Sequence, residues 1–324
     1  MNKLDITITD IDAKKRLDVF LSKEFPEYSR NYFSSLIKNE NILVNNSVAK
    51  PNYKTKIGDR IVGELTENTV FYKPSPENIP LNIIFEDSDV LVINKQPGIV
   101  VHPAAGHHDG TLINAILAHD PEIKNAVYEE DNPISVLRPG LVHRLDKDTS
   151  GVIIVAKDTK SMLALSNQIQ NREVKKIYWG ICLGWPEKDS TELTSYLGRK
   201  RKNRQLIADI GENRGKKAVL VYKVLKYFED VHGHRLSLIE FDLKTGRTHQ
   251  IRVQISDIGC PILGDSDYGD KKDVEIATKL HVKRQLLHAK RLEIALPESN
   301  KASVFEAPIP DDMAKLLGEL REVS

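Results

Sequence analysis

The 324-residue chain reads as an α+β protein: a mixed sheet domain with flanking helices, preceded by a small helix–helix–strand unit. Three observations carry that reading. Beyond residue 80, apolar runs of strand length do not alternate regularly with helical segments, which disfavours a doubly wound parallel sheet. The first sixty-odd residues show helical periodicity and then short strands. Between the two regions, FYKPSPENIP places three prolines in ten residues, a linker that cannot donate a regular backbone hydrogen-bond ladder. The expected units are therefore 1–75 and 76–324.

In chain order, Asp12 is positioned to cap a helix over Lys14–Phe25, where Leu17, Phe20, Leu21 and Phe25 recur at helical spacing before Pro26 stops it. Ser29 is placed to cap a second helix with Tyr32, Phe33, Leu36 and Ile37 on one face. Strands follow around Ile42–Val44 and Arg60–Glu64, separated by an Asn45-Asn46 turn and by Lys50, Lys54 and Lys56. In the second region strands are expected at Ile83–Glu86, Val90–Asn94, Val152–Ala156, Lys176–Leu183, Ala218–Tyr227 and Leu236–Leu243. Helices are expected near Thr111–His119, Asp158–Gln170, Thr248–Ile258 and Asp311–Glu322.

Composition narrows the function classes. Hydrophobic content of 40% suffices for a core, and no apolar run reaches membrane-spanning length. The start, MNKLDITITD, lacks the basic-then-apolar profile of a secretory signal. Cys182 and Cys260 form no CxxC pair and have apolar neighbours, so they read as core thiols in a reducing cytoplasm. The net charge of +1 conceals an uneven distribution. Lys14–Arg60 holds ten Lys/Arg against five Asp/Glu, and Arg199–Lys217 holds eight against two. Two separated basic runs favour a polyanionic partner over a merely solvated face.

The densest chemical cluster is GLVHRLDKDTSG (Gly140–Gly151), just before the apolar strand VIIVAK. It sets Asp146 and Asp148 among His143, Arg144 and Lys147. Cations beside a carboxylate favour its charged form, which suits a nucleophile or base rather than an acid. On residue types alone, a surface ion-pair turn before a strand is the better reading of the cluster.

The string HRLDKDTSG resembles the signature of the RluA-type pseudouridine synthases, a long and specific pattern. Further matches are NKQPGIVVHPAAG (Asn94–Gly106), GTLINAILAH (Gly110–His119), VKKIYWGICLG (Val174–Gly184), LKTGRTHQIRVQ (Leu243–Gln254), GCPILGDSDYG, RQLLHA and FEAPIP. The leading unit, RLDVFLSKEFPEYSRNYFSSLIKNENILVNN with GDRI after it, resembles the small RNA-binding domain of ribosomal protein S4 type. Together the resemblance spans nearly the whole chain and is closest to the D branch, which acts on large-subunit ribosomal RNA.

That resemblance implies a largely antiparallel catalytic sheet behind an S4-like α/β domain, and isomerisation of uridine in structured RNA, 23S rRNA foremost. It makes Asp146 catalytic and Asp148 structural, puts Tyr178 against the target base, and pairs Arg247 with the catalytic carboxylate. Arg144 becomes the candidate to fill the space a flipped base leaves, His143 a pocket-rim residue, and Leu287 the apolar cover. Arg16 and Arg30 are the cations expected to meet RNA phosphates. No cofactor or metal is expected, since reactant and product are isomers. The histidines His102, His107, His108 and His119 carry no recognised metal spacing. The expected partner is ribosomal RNA, with no membrane, and the expected form is a monomer.

Two departures from the family pattern stand out: Gln254 where histidine is common and Leu220 where threonine is frequent. Competing readings are the same reaction on tRNA and a non-catalytic RNA-binding or ribosome-assembly factor. The weakest is a base-removing hydrolase using Asp146 with Asp148, since carboxylates two residues apart in one turn poorly flank a scissile bond.

Overall fold

The computed structural model describes residues 2–25, 28, 30–65, 74–103, 109–127, 138–200, 206–298 and 301–323. Ser29, His107, His108 and residues 201–205 of the second basic run lie outside these.

The leading unit consists of β1 (Asn2–Thr7), α1 (Leu17–Glu24), α2 (Arg30–Lys38), β2 (Ile42–Val44), β3 (Ser47–Val48) and β4 (Arg60–Leu65). Its antiparallel sheet runs β1-β4-β2-β3. Leu17, Phe20, Leu21, Phe33, Leu36 and Ile37 bury the helix faces read from the periodicity. The first helix starts later than expected because Lys14 has a left-handed φ of 65°. Asp12 therefore lies in a short 3-10 turn and binds Lys15 at 2.9 Å instead of capping. Asn45 and Asn46 make the expected turn with φ of 51° and 59°.

Beyond it come β5 (Ile83–Glu86), β6 (Val90–Lys95), α3 (Leu112–His119), β7 (Ser150–Ala156), α4 (Thr159–Asn171), β8 (Lys175–Leu183), β9 (Ser190–Arg199) and β10 (Ile207–Asp209). The chain continues through β11 (Lys216–Glu229), β12 (Arg235–Leu243), α5 (Gln250–Asp257), α6 (Lys271–Lys279), β13 (Leu287–Ala295), β14 (Ala302–Glu306), α7 (Asp311–Glu319) and β15 (Arg321–Val323). All the expected strands and helices of this region are present. The last helix ends three residues early because Arg321–Val323 pairs with β11 as a strand.

Among the described residues these strands form one eleven-stranded sheet. Its spine is β10-β9-β11-β12-β8-β13-β7-β6-β5, with β14 beside β13 and β15 beside β11. Every pairing is antiparallel except β13 with β7, where His288 faces Ser150 and Ala289 faces Gly151. Gly151 makes this joint possible. Its φ is 109°, and a Cβ there would lie 2.2 Å from the Ala289 carbonyl oxygen. The parallel joint is where the Asp146 loop enters the sheet and where β13 begins at Leu287, so the topology alone brings two distant motifs together. Cys182 and Cys260 are buried free thiols in the main core.

The two departures from the family pattern are packing residues. Leu220 is fully buried. Gln254 on α5 donates through Nε2 to the carbonyls of Leu193 (3.2 Å) and Ala218 (3.3 Å), tying the helix to β9 and β11.

Candidate active site

The segment from Arg144 to Thr149 has no regular structure of its own and is held by side chains from elsewhere. Lys95, at the end of β6, is 1% exposed. Its Nζ donates to the carbonyls of Lys147 (2.8 Å), Gln96 (2.8 Å) and Ile99 (3.0 Å). Burial pushes its ammonium down to about 7, against the pull of Asp148. From the other side, Arg284 Nη1 donates to the Asp148 carbonyl at 2.9 Å and Gln285 Nε2 to Thr149 Oγ1 at 3.1 Å. The loop closes on itself through the Thr149 amide donating to the Asp146 carbonyl at 3.1 Å. These bonds anchor the backbone that carries Asp146 from both sides.

That cavity measures about 500 Å³, and Arg144, Asp146, Tyr178, Arg247, His249, Arg252 and Leu287 are among its lining residues. Asp146 lies on its wall with a fifth of its side chain exposed. Tyr178 (β8) and Leu287 (β13) present apolar surface beside it; both are buried, and Leu287 stands opposite Gly180 on β8. Burial first, and the charge of Asp146 second, push the Tyr178 hydroxyl well above its ordinary value, so the ring stays neutral. The cavity rim is cationic: Arg144, Arg172, Lys176 and Arg247 all line it. Burial lowers Lys176 from its usual value, the expected response of an ammonium deprived of water.

The guanidinium facing Asp146 is that of Arg252, which corrects the expected pairing with Arg247. Arg252 Nη1 lies 3.4 Å from Asp146 Oδ2. Its Nε and Nη2 form a fork on Asp265 at 2.6 and 2.7 Å, and Nη2 also reaches Asp267 at 2.8 Å. Burial works against its charge, but the bonds and attraction of Asp265, with Asp146 behind them, outweigh that and raise its pKa. Arg247 precedes α5, is exposed, and donates through Nε to the Lys217 carbonyl at 3.3 Å. The physical reason is the turn between them: a five-residue step onto a helix moves the side chain from the rim to the buried wall.

The other expected residues are placed as follows. His143 lines the cavity, and its Nε2 accepts from the Ile154 amide at 3.1 Å. Burial pushes its imidazole down to about 3, so it is a neutral acceptor that tacks the signature segment to β7. Arg144 is exposed and lines both this cavity and a neighbouring one of about 310 Å³ that Asp146 also lines. In the leading unit, Arg16 and Arg30 converge on the buried Asp18. Arg16 forks onto it at 2.9 and 3.0 Å, and Arg30 Nε reaches it at 3.0 Å. Burial would raise the Asp18 pKa, but the two guanidinium bonds prevail and lower it. Arg30 thus joins the start of α2 to α1 while Arg16 braces the start of α1, with 48% and 40% of their side chains still exposed.

Lys95, His249, Arg252, Tyr268 and Arg284 are positioned at or behind the cavity and were not singled out from the sequence. For Arg252 a signal existed: HQIRVQIS embeds a cation among apolar residues on a helix, and a buried charge requires a partner.

The RNA pseudouridylate synthase family model matches residues 89–257, and the S4 domain model matches residues 15–61. The chain is 38% identical to an uncharacterized RNA pseudouridine synthase of Bacillus subtilis (strain 168), over 99% of both chains. It is 40% identical to a ribosomal large subunit pseudouridine synthase D of Neisseria meningitidis, over 99% of this chain and 82% of that one. The solved structure of human RNA pseudouridylate synthase domain containing 1 shares the fold, with a TM-score of 0.60 and 22% identity over 76% of this chain and 91% of that one. The chain belongs to the RNA pseudouridylate synthase family and carries an S4 domain at its N-terminal end.

Proposed function

We propose that this RNA pseudouridine synthase acts on uridines of large-subunit ribosomal RNA, with Asp146 as its catalytic carboxylate. The observation that carries the reading is the cavity itself, which holds one carboxylate faced by Arg252, an aromatic wall at Tyr178, an apolar wall at Leu287 and a cationic rim. Such a site suits a flipped base: a ring to stack on, a cover, and charges that meet the flanking phosphates. The relatives named for the large ribosomal subunit, together with the S4 domain, support rRNA over tRNA.

In this reading Asp146 removes the C2′ proton of the extruded nucleotide while the N1–C1′ bond breaks, with its electron pair passing to uracil. The base turns between Tyr178 and Leu287, C5 bonds to C1′, and Asp146 returns its proton to C2′. The C5 hydrogen then leaves as a proton and N1 gains one, so atoms and electrons balance without a redox partner or group donor. Arg252 orients the carboxylate. Arg144, Arg172, Lys176 and Arg247 receive phosphates, which offsets the few kcal/mol that unstacking the base costs. Residues 1–75 form the RNA-binding unit and 76–324 the catalytic unit, and the enzyme works as a cytoplasmic monomer.

Tritium release from ribosomal RNA transcripts labelled at uracil C5 tests this directly. Wild-type protein is expected to release label, and Asp146→Asn to release it about 1,000-fold more slowly or less, while RNA binding stays within about threefold. Release from tRNA but not rRNA would overturn the substrate, and an active Asp146→Asn would overturn the catalytic assignment.

A further inference from the structure

Beside Asp146, a two-residue relay of His249, which also lines the cavity, and Tyr268 has no role in the reading above. His249 directly precedes α5 with a left-handed φ of 54°, a conformation that costs a non-glycine residue energy and tends to survive at working sites. Its Nδ1 is 2.8 Å from Tyr268 Oη, and its Nε2 is 3.8 Å from Asp146 Oδ1. Tyr268 Oη also accepts from the Ile207 amide at 3.0 Å. The same tyrosine ring lies 4.9 Å beneath the Arg252 guanidinium, and its backbone amide donates to Asp265, the carboxylate that forks Arg252. Tyr268 therefore supports both groups that face Asp146.

The Ile207 amide donates to Tyr268 Oη, which leaves the phenolic hydrogen available to His249 Nδ1, and we assign the bond that direction. Burial, foremost, pushes His249 below its ordinary value against the attraction of Asp146, so the ring is neutral and carries one N–H. With Nδ1 accepting, that hydrogen sits on Nε2 and faces Asp146 Oδ1.

We propose that His249, locked in this tautomer by Tyr268, is a positioning residue for the isomerisation: its Nε2–H and Arg252 take opposite oxygens of Asp146 and set the carboxylate plane toward the sugar. The inference rests on the catalytic reading of Asp146. At 3.8 Å the Nε2 contact is longer than a hydrogen bond, and it shortens when the nucleotide enters and the carboxylate turns to meet the sugar.

The test uses the chemistry of the side-chain amides. Asparagine places its amide where Nδ1 lies, tolerates left-handed backbone best, and cannot reach Asp146. Glutamine strains the backbone more but places an N–H near the position of Nε2. If His249 served only the backbone turn and the Tyr268 bond, His249→Asn would be the benign change. The proposal expects the reverse. His249→Asn lowers kcat about 30-fold with KM within about threefold, whereas His249→Gln stays within about fivefold of wild type. Tyr268→Phe keeps the ring under Arg252 but frees the tautomer, and kcat falls about tenfold with KM unchanged. Tritium release on one rRNA transcript reads all three, with thermal transitions reporting folding. His249→Asn at wild-type kcat, His249→Gln impaired as much as His249→Asn, or Tyr268→Phe at wild-type kcat would overturn the proposal. Those results beside an inactive Asp146→Asn leave the catalytic reading standing, whereas a fully active Asp146→Asn removes both.

Discussion

Arg252 illustrates how a buried cation earns its place: it is bonded to Asp265 and Asp267 and faces Asp146, so its planar fork is held from three directions. Lysine cannot reproduce that geometry, because a single ammonium has neither the plane nor the reach to satisfy Asp265 bidentately while touching Asp146. Arg252→Lys is expected to lower kcat about 100-fold with little change in KM. Arg247→Ala, at the exposed rim, should raise KM severalfold and leave kcat nearly untouched. Steady-state kinetics on one transcript separates the two, and the opposite split would restore Arg247 as the partner of Asp146. Both arginines sit in the same motif, and the sequence pattern drew attention to the wrong one. Deciding between them required knowing where the helix begins, since Arg252 turns inward only after Gln250 starts α5. Asp146, Tyr178 and Leu287 were legible because each lies inside a contiguous, specific string. Lys95, His249 and Tyr268 were not, because their roles depend on contacts with residues 19 to more than 50 positions away.

At the level of elements, the site depends on the parallel joint between β7 and β13. Gly151→Ala would put a methyl against the Ala289 carbonyl at a φ no alanine favours, and the two strands would have to part. A loss of about 3 kcal/mol or more is expected by chemical denaturation, with kcat reduced because the Asp146 loop feeds directly into that strand. A change under about 0.5 kcal/mol would mean that the joint does not hold the loop. The apolar runs of β6, β7, β8, β11 and β12 and the capped helices α3 and α4 could be read from local pattern. Thr111 and Asp158 accept backbone amide bonds at those two helix starts. By contrast, β1, β9 and β13 were not anticipated. Their sequences mix charged with apolar residues, and their strand character comes from pairing with distant partners. The parallel joint follows from such pairings and so could not be inferred locally.

Across the whole molecule, buried imidazoles link stability to pH. His288 is fully buried at the joint, where Nδ1 lies 2.9 Å from Ser150 Oγ, and burial pushes it from 6.5 down to about 4. The unfolded chain takes up a proton near 6.5 and the folded chain only near 4, so stability is full above 6.5 and is lost as pH falls through that window. His102 and His143, pushed down to about 3, extend the loss further into acid. Urea unfolding between pH 6.5 and 4.5 should show this decline, and His288→Gln should reduce its slope by about one proton. A slope identical to wild type would mean that His288 is already charged in the fold. The near-zero net charge also matters at this scale, because it conceals cations gathered in the leading unit and around a cavity whose lining, among the described residues, holds Asp146 as its one carboxylate. A polyanion would then be held at the edge while its base enters. Mapping pseudouridines in rRNA from cells lacking this protein and complemented with wild type or Asp146→Asn tests whether Asp146 isomerises uridines of large-subunit rRNA. Specific large-subunit sites are expected to vanish without the protein, return with wild type and stay absent with the variant. Sites restored equally by Asp146→Asn, or an unchanged large-subunit map alongside lost tRNA sites, would contradict that reading.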